Sequence, residues 1–524
     1  MRLFFVLLLL FILALALRVN NLSGRSLWTD EFFTLFQSSG HGVDVVKFVD
    51  DSSKRELPVL LKPRDYRLLL KIDPARQIKD VTAGLLETDT HPPLYFWIMY
   101  IWMRVFGDSI FVLRFFSVLM GIFTIFLAYR IGVRLFDQRT ALFCALFAAI
   151  SAFSIRYSQE ARPYSLIMAI GLLSSLFLLR LEKNNRNWDA FCFAVFTALG
   201  LYTHYLYAFV AIGHFIYFSF ANRRQSLKIR KFYLAVLGSL LFFSPWLSLV
   251  IVKGYNFPNT EWLFGYPGII DKIGNIFPGA SRYLLIFDNP GLLPRVFLLA
   301  GLSFFVYMAI YGARGIIVKY RRQLWFCLSI FTVPLASMLF LDILEQGALL
   351  RQERFWVFSF LGFIPLAGYF LSFGFSRNKT VTTLFILLML VSSFLVSRVQ
   401  FGPAPENVCR WINQKSRGIT SAVLACNMRG VLLAQSYYLD DDIYLLPVSD
   451  TGQLTNSVKA ASVMSDQIFI VRHYHRTDPY LMNQLFMETR DIGRDYRLGQ
   501  TVNMEDISVS EFIKRDAHNY RKIP

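Results

Sequence analysis

Charge is what this sequence has least of. Only 17% of its 524 residues are Asp, Glu, Lys or Arg, while 55% are hydrophobic and 52 are phenylalanine, which excludes an ordinary soluble domain. Cysteine is scarce as well, and five residues are too few for a disulfide framework. Cys144, Cys192 and Cys327 lie inside apolar runs and read as small hydrophobes. Cys409 and Cys426 fall in a polar tail, where a bridge between them would need an oxidising compartment. No GxxxxGK[ST] loop, HExxH or cysteine-based zinc pattern occurs, so ATP-driven and zinc-hydrolase chemistry have no support. Internal repeats and low-complexity tracts are likewise missing.

Long apolar runs are abundant instead. Segments suited to crossing a bilayer, at about 17 to 25 residues, occur near 3–18, 111–133, 141–157, 164–181, 190–203, 207–221, 232–252, 295–313, 324–341, 355–374 and 380–397. The first, between Arg2 and Arg18, is similar to the apolar part of a signal peptide with Ala14-Leu15-Ala16 as its cleavage site. Arg18 and the many spans that follow favour an uncleaved anchor. The run Leu94 to Met103 is shorter and follows Pro92-Pro93, so it reads as an interfacial or re-entrant helix.

With that run left out, the basic loops share one face. They hold Arg130, Arg134 and Arg139; Arg180, Lys183 and Arg186; Arg223, Arg224, Lys228, Arg230 and Lys231; Arg314, Lys319, Arg321 and Arg322; and Arg377 and Lys379. By the positive-inside rule that face is cytoplasmic. The net charge of +18 therefore belongs to loops, and no nucleic-acid partner is expected. The expected fold class is an α-helical multi-pass membrane protein of about 11 transmembrane helices with a small C-terminal α/β soluble domain. Residues 1–398 form the membrane module, 19–110 its first outer loop, and 399–524 the non-cytoplasmic α/β domain. In the latter "ENVCRWINQK" has helical spacing, while "SAVLAC", "IYLLPV" and "QIFIVRHY" are β-type runs.

The outer face carries the candidate chemistry. Asp30 and Glu31, in "LWTDEFFTLF", are adjacent carboxylates among aromatics. One could act as general base or bind a cation; the structural alternative is a helix N-cap at Thr29 or Asp30. In "THPPLYFW" the proline pair holds His91 at the head of the interfacial segment, as a hydrogen-bonding group or a ligand. "RYSQEARPYSL" confines Glu160, Arg162 and Tyr164 to a tight turn, which is either a surface ion pair or the rim of a polar cavity. "LLRQERFW" puts Arg351 and Arg354 at i, i+3, suited to a phosphate or to headgroup snorkelling. His204, beside Tyr205, reads more readily as structural.

Together "LWTDE", "HPPLYFWIMYIWMRVFGDSIFVLRFFSVLMGI" and "RLFDQRTALFCALFAAISAFSIRYSQEARPYSL" resemble the GT-C glycosyltransferases, which take a sugar from a polyprenyl-phosphate donor. The likeness is nearest to the bacterial branch that includes protein O-mannosyltransferases and aminoarabinose transferases. The resemblance implies Asp30 as the acidic residue acting on the acceptor or a cation, with Glu31 as helper or cation ligand. It matches Pro92 to Tyr95 to the proline element and Glu160 with Arg162 to the second acidic-basic turn. Arg162, Arg351 and Arg354 would hold the donor phosphate, and His91, Tyr95, Glu160, Tyr164 and His204 would line the substrate pocket. Where relatives commonly carry Arg-Tyr, this chain has Arg354-Phe355.

Transfer needs a base for the acceptor hydroxyl and a cation for the departing phosphate, and direct displacement inverts the anomeric carbon. The implied partners are the lipid-phosphate sugar, membrane lipid, and a glycan, lipid or protein acceptor. No resident cofactor is implied; a divalent cation on Asp30, Glu31 and His91 stays open. The implied setting is a bacterial inner membrane with the site facing the periplasm. The rivals are a transporter or flippase, and an assembly protein using the tail as a binding module.

Overall fold

A chain segment that leaves water must satisfy its own N–H and C=O groups, which a helix does within one stretch. In the computed structural model each of the eleven apolar runs is helical. The structure describes residues 2–47, 61–89, 91–254, 274, 276–286, 292–345, 347–399, 405–426, 429–448, 460–473, 496–504 and 507–515. Thr90, Gln346 and most of residues 253–294, between the apolar runs 232–252 and 295–313, lie outside the described residues.

Among the described residues, seven helices are long and apolar enough to cross a membrane. The number is eight if Gln138–Ile150 and Ala152–Ser158, bent by 55° at Ser151, are one broken span. Other apolar helices, Leu3–Val19 and Tyr207–Ala221 among them, are shorter. Leu94–Phe106 has 13 residues, about 20 Å at 1.5 Å per residue, and is likewise too short to span.

The described residues fall into two units. The first comprises Met1–Ser23, Asp89–Ile98 and Ser109–Val399. Its most enclosed helices are Tyr164–Asn184 and Glu353–Arg377, whose apolar windows are 78% and 89% buried; the lipid-facing role falls to Ser226–Val252, at 22%. Small residues let the inner helices approach closely: a Cβ on Gly368 would lie 2.7 Å from the backbone of Cys144. Cys144, Cys192 and Cys327 are all buried.

The bend at Ser151 leaves helix-end carbonyls in the interior, where each needs a donor. Arg18, fully buried, supplies them. Its two Nη atoms donate to Ala148 O and Ala149 O at 2.9 Å each. They also reach Ser154 Oγ at 2.9 Å and Ala14 O at 3.3 Å, and Nε donates to Ser158 Oγ at 3.3 Å. Every N–H of the guanidinium is thereby engaged, and Ser151 Oγ donates to Tyr283 O at 2.9 Å.

The second unit comprises Gly24–Thr88, Met99–Asp108 and Gln400–Pro524. Its sheet has strands β1 (Ser421–Cys426), β2 (Tyr444–Val448), β3 (Gln467–His473), β4 (Tyr496–Met504) and β5 (Ile507–Lys514). Their order is β2-β1-β3-β5-β4, parallel from β2 through β1 to β3 and antiparallel from β3 to β4. Ala422, Leu424, Leu446, Ile468, Ile470 and Phe512 build one core face, while Phe469 packs edge-on to Trp411 of the helix Pro405–Ser416.

The tail is not the whole of this unit. Leu445 N donates to Leu61 O at 2.9 Å, so a first-loop residue pairs with the outer edge of β2. Tyr66 OH donates to Leu445 O at 3.1 Å, and Arg67 donates to the carbonyls of Ser436 and Leu439 at 2.9 and 3.0 Å. Cys409 is a buried free thiol facing Gln435 O at 3.7 Å; burial pushes its pKa up. The side chain of Cys426, its suggested partner, lies outside the described residues.

Candidate active site

Within the first unit, four stretches of chain bring charged side chains together. His91 stands just ahead of the prolines, and Asp89 Oδ1 accepts both its backbone N–H, at 3.1 Å, and its Nδ1–H, at 2.6 Å. Arg162 Nη2 donates to the other ring nitrogen, Nε2, at 3.2 Å. An arginine can only donate, so this bond sets the tautomer: Nδ1 carries the proton and Nε2 accepts. The result is a chain from carboxylate through imidazole to guanidinium.

His204, the residue that ends the helix Asn187–Thr203, has its ring 5.5 Å from that of His91. Its Nδ1 accepts from Leu206 N at 3.1 Å, and Phe355 and Phe358 stand edge-on at 5.8 and 5.1 Å. Burial, and then the neighbouring His91 ring and the charges of Arg162 and Arg354, hold its pKa well below the usual histidine value. It is a neutral group among cations.

Arg156, one helical turn before Glu160, lies 3.8 Å from that carboxylate and donates from Nη1 to Glu353 Oε2 at 2.8 Å. Arg282 also pairs with Glu353. Glu160, Arg162 and Tyr164 are all buried, so the turn is not a solvated surface ion pair. Tyr164 packs edge-on against Tyr157 at 5.1 Å, and Tyr95 is fully buried beside Phe96 and Phe116.

Arg351 and Arg354 depart from the expected helix end. They occupy two successive 3-10 turns, Leu349–Arg351 and Glu353–Trp356, separated by an extended Gln352. The two side chains therefore do not stack one turn apart. The reason is local: the buried Asp342 carboxylate accepts Leu349 N at 2.6 Å and Leu350 N at 2.9 Å, and Trp356 Nε1 donates to Leu350 O at 2.9 Å. Arg354 is half-buried over the Phe355 ring at 5.6 Å and acts on His204. Arg351 is exposed.

In the second unit, Asp30 and Glu31 open the helix Thr29–Ser39. Trp28, not Thr29 or Asp30, occupies the N-cap position. The buried Glu31 reaches back to accept Trp28 N at 3.3 Å, while Asp30 is half-buried. Carboxylates in a first turn are favoured by the helix dipole.

The sequence reading missed Asp89, Arg156, Arg282 and Glu353. Asp89 had a local signal, an Asp two residues before a histidine that precedes Pro-Pro, the spacing of an Asx turn. Among the described residues no three His, Cys, Asp or Glu side chains gather as a metal site would.

His91, Tyr95, Glu160, Arg162, Tyr164 and His204 all fall within one span of the chain. Residues 90–249 match the family model of dolichyl-phosphate-mannose-protein mannosyltransferases. The expected resemblance to glycosyltransferases that use lipid-phosphate sugars holds over that stretch. A Bacillus subtilis protein named as the mannosyltransferase YycA is 29% identical over 173 residues, 33% of this chain. The chain matches only 23% of that relative's length.

Among solved structures, ArnT from Cupriavidus metallidurans bound to undecaprenyl phosphate aligns over 96% of this chain and 97% of its own, with 13% identity and a TM-score of 0.45. The oligosaccharyltransferase AglB from Archaeoglobus fulgidus, with an inhibitory peptide and a dolichol-phosphate, aligns over 99% of this chain and 74% of its own, at 11% and 0.46. At those values the likeness carries no weight for the chemistry of the site.

Proposed function

We propose that this protein is a membrane glycosyltransferase that moves a sugar from a polyprenyl-phosphate donor to an acceptor hydroxyl with inversion. The observation that carries the reading is a coincidence of place: the family match over 90–249 contains His91 and Arg162 of the Asp89–His91–Arg162 chain and begins one residue after Asp89. A site of guanidiniums around a neutral imidazole, lined by aromatics, suits an anionic phosphate next to a sugar ring.

In the proposed reaction the acceptor oxygen attacks the anomeric carbon while the bond from that carbon to the phosphate oxygen breaks. The acceptor proton passes to the Asp30 carboxylate, with Glu31 supporting that helix turn, and the lipid phosphate leaves with the bond's electrons. Arg162 and Arg354 stabilise its growing charge, with Arg351 at the approach. His91, Glu160, Tyr95, Tyr164 and His204 shape and orient the pocket. The acceptor is a glycan, lipid or protein on the periplasmic side of a bacterial inner membrane.

Purified protein incubated with a panel of polyprenyl-phosphate sugars should release or transfer the sugar from at least one of them. Asp30→Asn should abolish this at unchanged expression, and Arg354→Ala should weaken donor use most among the arginine variants. Failure of every donor with well-folded protein would overturn the assignment.

A further inference from the structure

The first unit has a second charged site, at the far end of its helices. Tyr164–Asn184 has 21 residues, about 30 Å of helix, and Arg162 precedes its first turn. At its other end lies a cavity of about 250 Å³ lined by Arg134, Glu182, Lys183, Tyr217, Lys228 and Arg322, with Leu135, Leu179 and Gln323. In bulk-liquid terms that is room for roughly eight waters, ample for a phosphate group. The proposed transferase reaction makes no use of it.

Four of the lining side chains are cations and one is an anion. Glu182 is already engaged: it accepts Tyr217 OH at 2.9 and 3.0 Å, Asn222 Nδ2 at 3.3 Å and Arg322 Nε at 2.8 Å. It can neutralise one guanidinium, and Arg322 is that one. Arg134 donates to Leu179 O at a long 3.4 Å, which offsets no charge. Lys183 is exposed and Lys228 half-buried. The cavity therefore keeps a surplus of positive charge.

A topological charge bias requires only that cations lie on this side of the membrane. It does not require helices 110–135, 164–184, 226–252 and 321–344 each to turn a cation toward one shared cavity, with the Tyr217 hydroxyl anchoring the lone carboxylate between them. Apolar residues next in sequence to two of the lining cations are exposed, Val133 at 45% and Leu227 at 57%. Basic pockets between transmembrane helices at the membrane surface are suited to anionic headgroups.

We infer that this cavity binds a phosphate-bearing anion, carried either on an anionic phospholipid or free in solution. The test uses full-length protein in neutral detergent, titrated separately with phosphatidylglycerol, phosphatidylcholine and inorganic phosphate, and followed by native mass spectrometry and thermal melting. Lys183→Gln with Lys228→Gln should weaken binding of phosphatidylglycerol roughly 30-fold, at about fivefold per surface cation. Arg223→Gln with Arg224→Gln removes two exposed cations of the same face that do not line the cavity, and should leave it unchanged.

A response to inorganic phosphate with the same dependence on the two lysines would identify a soluble anion as the source. Response to phosphatidylglycerol alone would identify the lipid. Equal weakening in both double variants, or binding of neither anion by wild-type protein, would overturn the site.

Discussion

Arg18 shows how much a single side chain does here. A guanidinium presents five N–H groups in a fixed fork, and all five meet acceptors on the helices around the bend at Ser151. Arg18→Ala would leave the Ala148 and Ala149 carbonyls buried without it, a loss of about 3–5 kcal/mol. Arg18→Lys keeps the charge but not the fork, so both variants should melt earlier in detergent, alanine more so. Asp89 orients His91 in the same manner. Asp89→Asn offers one acceptor and a competing donor, and kcat/KM should fall roughly 10- to 100-fold, the rate equivalent of a charged hydrogen bond, at nearly unchanged melting temperature. His204 gives a pH signature. Its folded pKa lies well below the ordinary 6.5, so below that pH the unfolded chain binds a proton that the folded protein resists. Stability from this group is complete above about pH 6.5 and falls as pH drops through it, by up to about 1.4 kcal/mol per unit. His204→Asn, whose side-chain oxygen can replace Nδ1 as acceptor for Leu206 N, should flatten that fall in melts between pH 7.5 and 5.5.

At the scale of elements, two features position the site. The segment 349–356 is held in paired 3-10 turns by Asp342, and it presents Arg354. Removing the carboxylate frees two buried N–H groups, so Asp342→Ala should loosen the segment and raise the KM for donor more than it lowers kcat; steady-state kinetics at saturating acceptor separate the two. The helix contact at Gly368 is the other. Its missing Cβ lets helix Val357–Arg377 lie against Cys144, and that same helix carries Phe358 to His204. Gly368→Ala forces the pair apart, at about 1–3 kcal/mol for overpacking, and should lower both melting temperature and activity.

At the scale of the whole molecule, the chain is an integral membrane protein whose first unit gathers charged side chains at its helix ends. Arg322 meets Glu182 at one end of the bundle, and helix Arg321–Leu344 carries Glu345 to the other. Single cysteines at the exposed Lys183 and Glu345 should therefore label from opposite sides of sealed vesicles. The sequence alone determined the helices, because each apolar run has one way to satisfy its backbone in lipid. It also singled out His91, Glu160, Arg162 and Arg354, because polar side chains beside lipid are expensive unless they face one another, whereas His204 reads there more readily as structural. Only the tertiary structure decided that Asp89 and Glu353 belong with them, that Ser151 breaks a span, and that first-loop residues Leu61, Tyr66 and Arg67 fold with the C-terminal sheet. Those outcomes depend on partners far apart in the chain, and a local pattern of hydrophobicity holds no information about which distant donor will meet which acceptor.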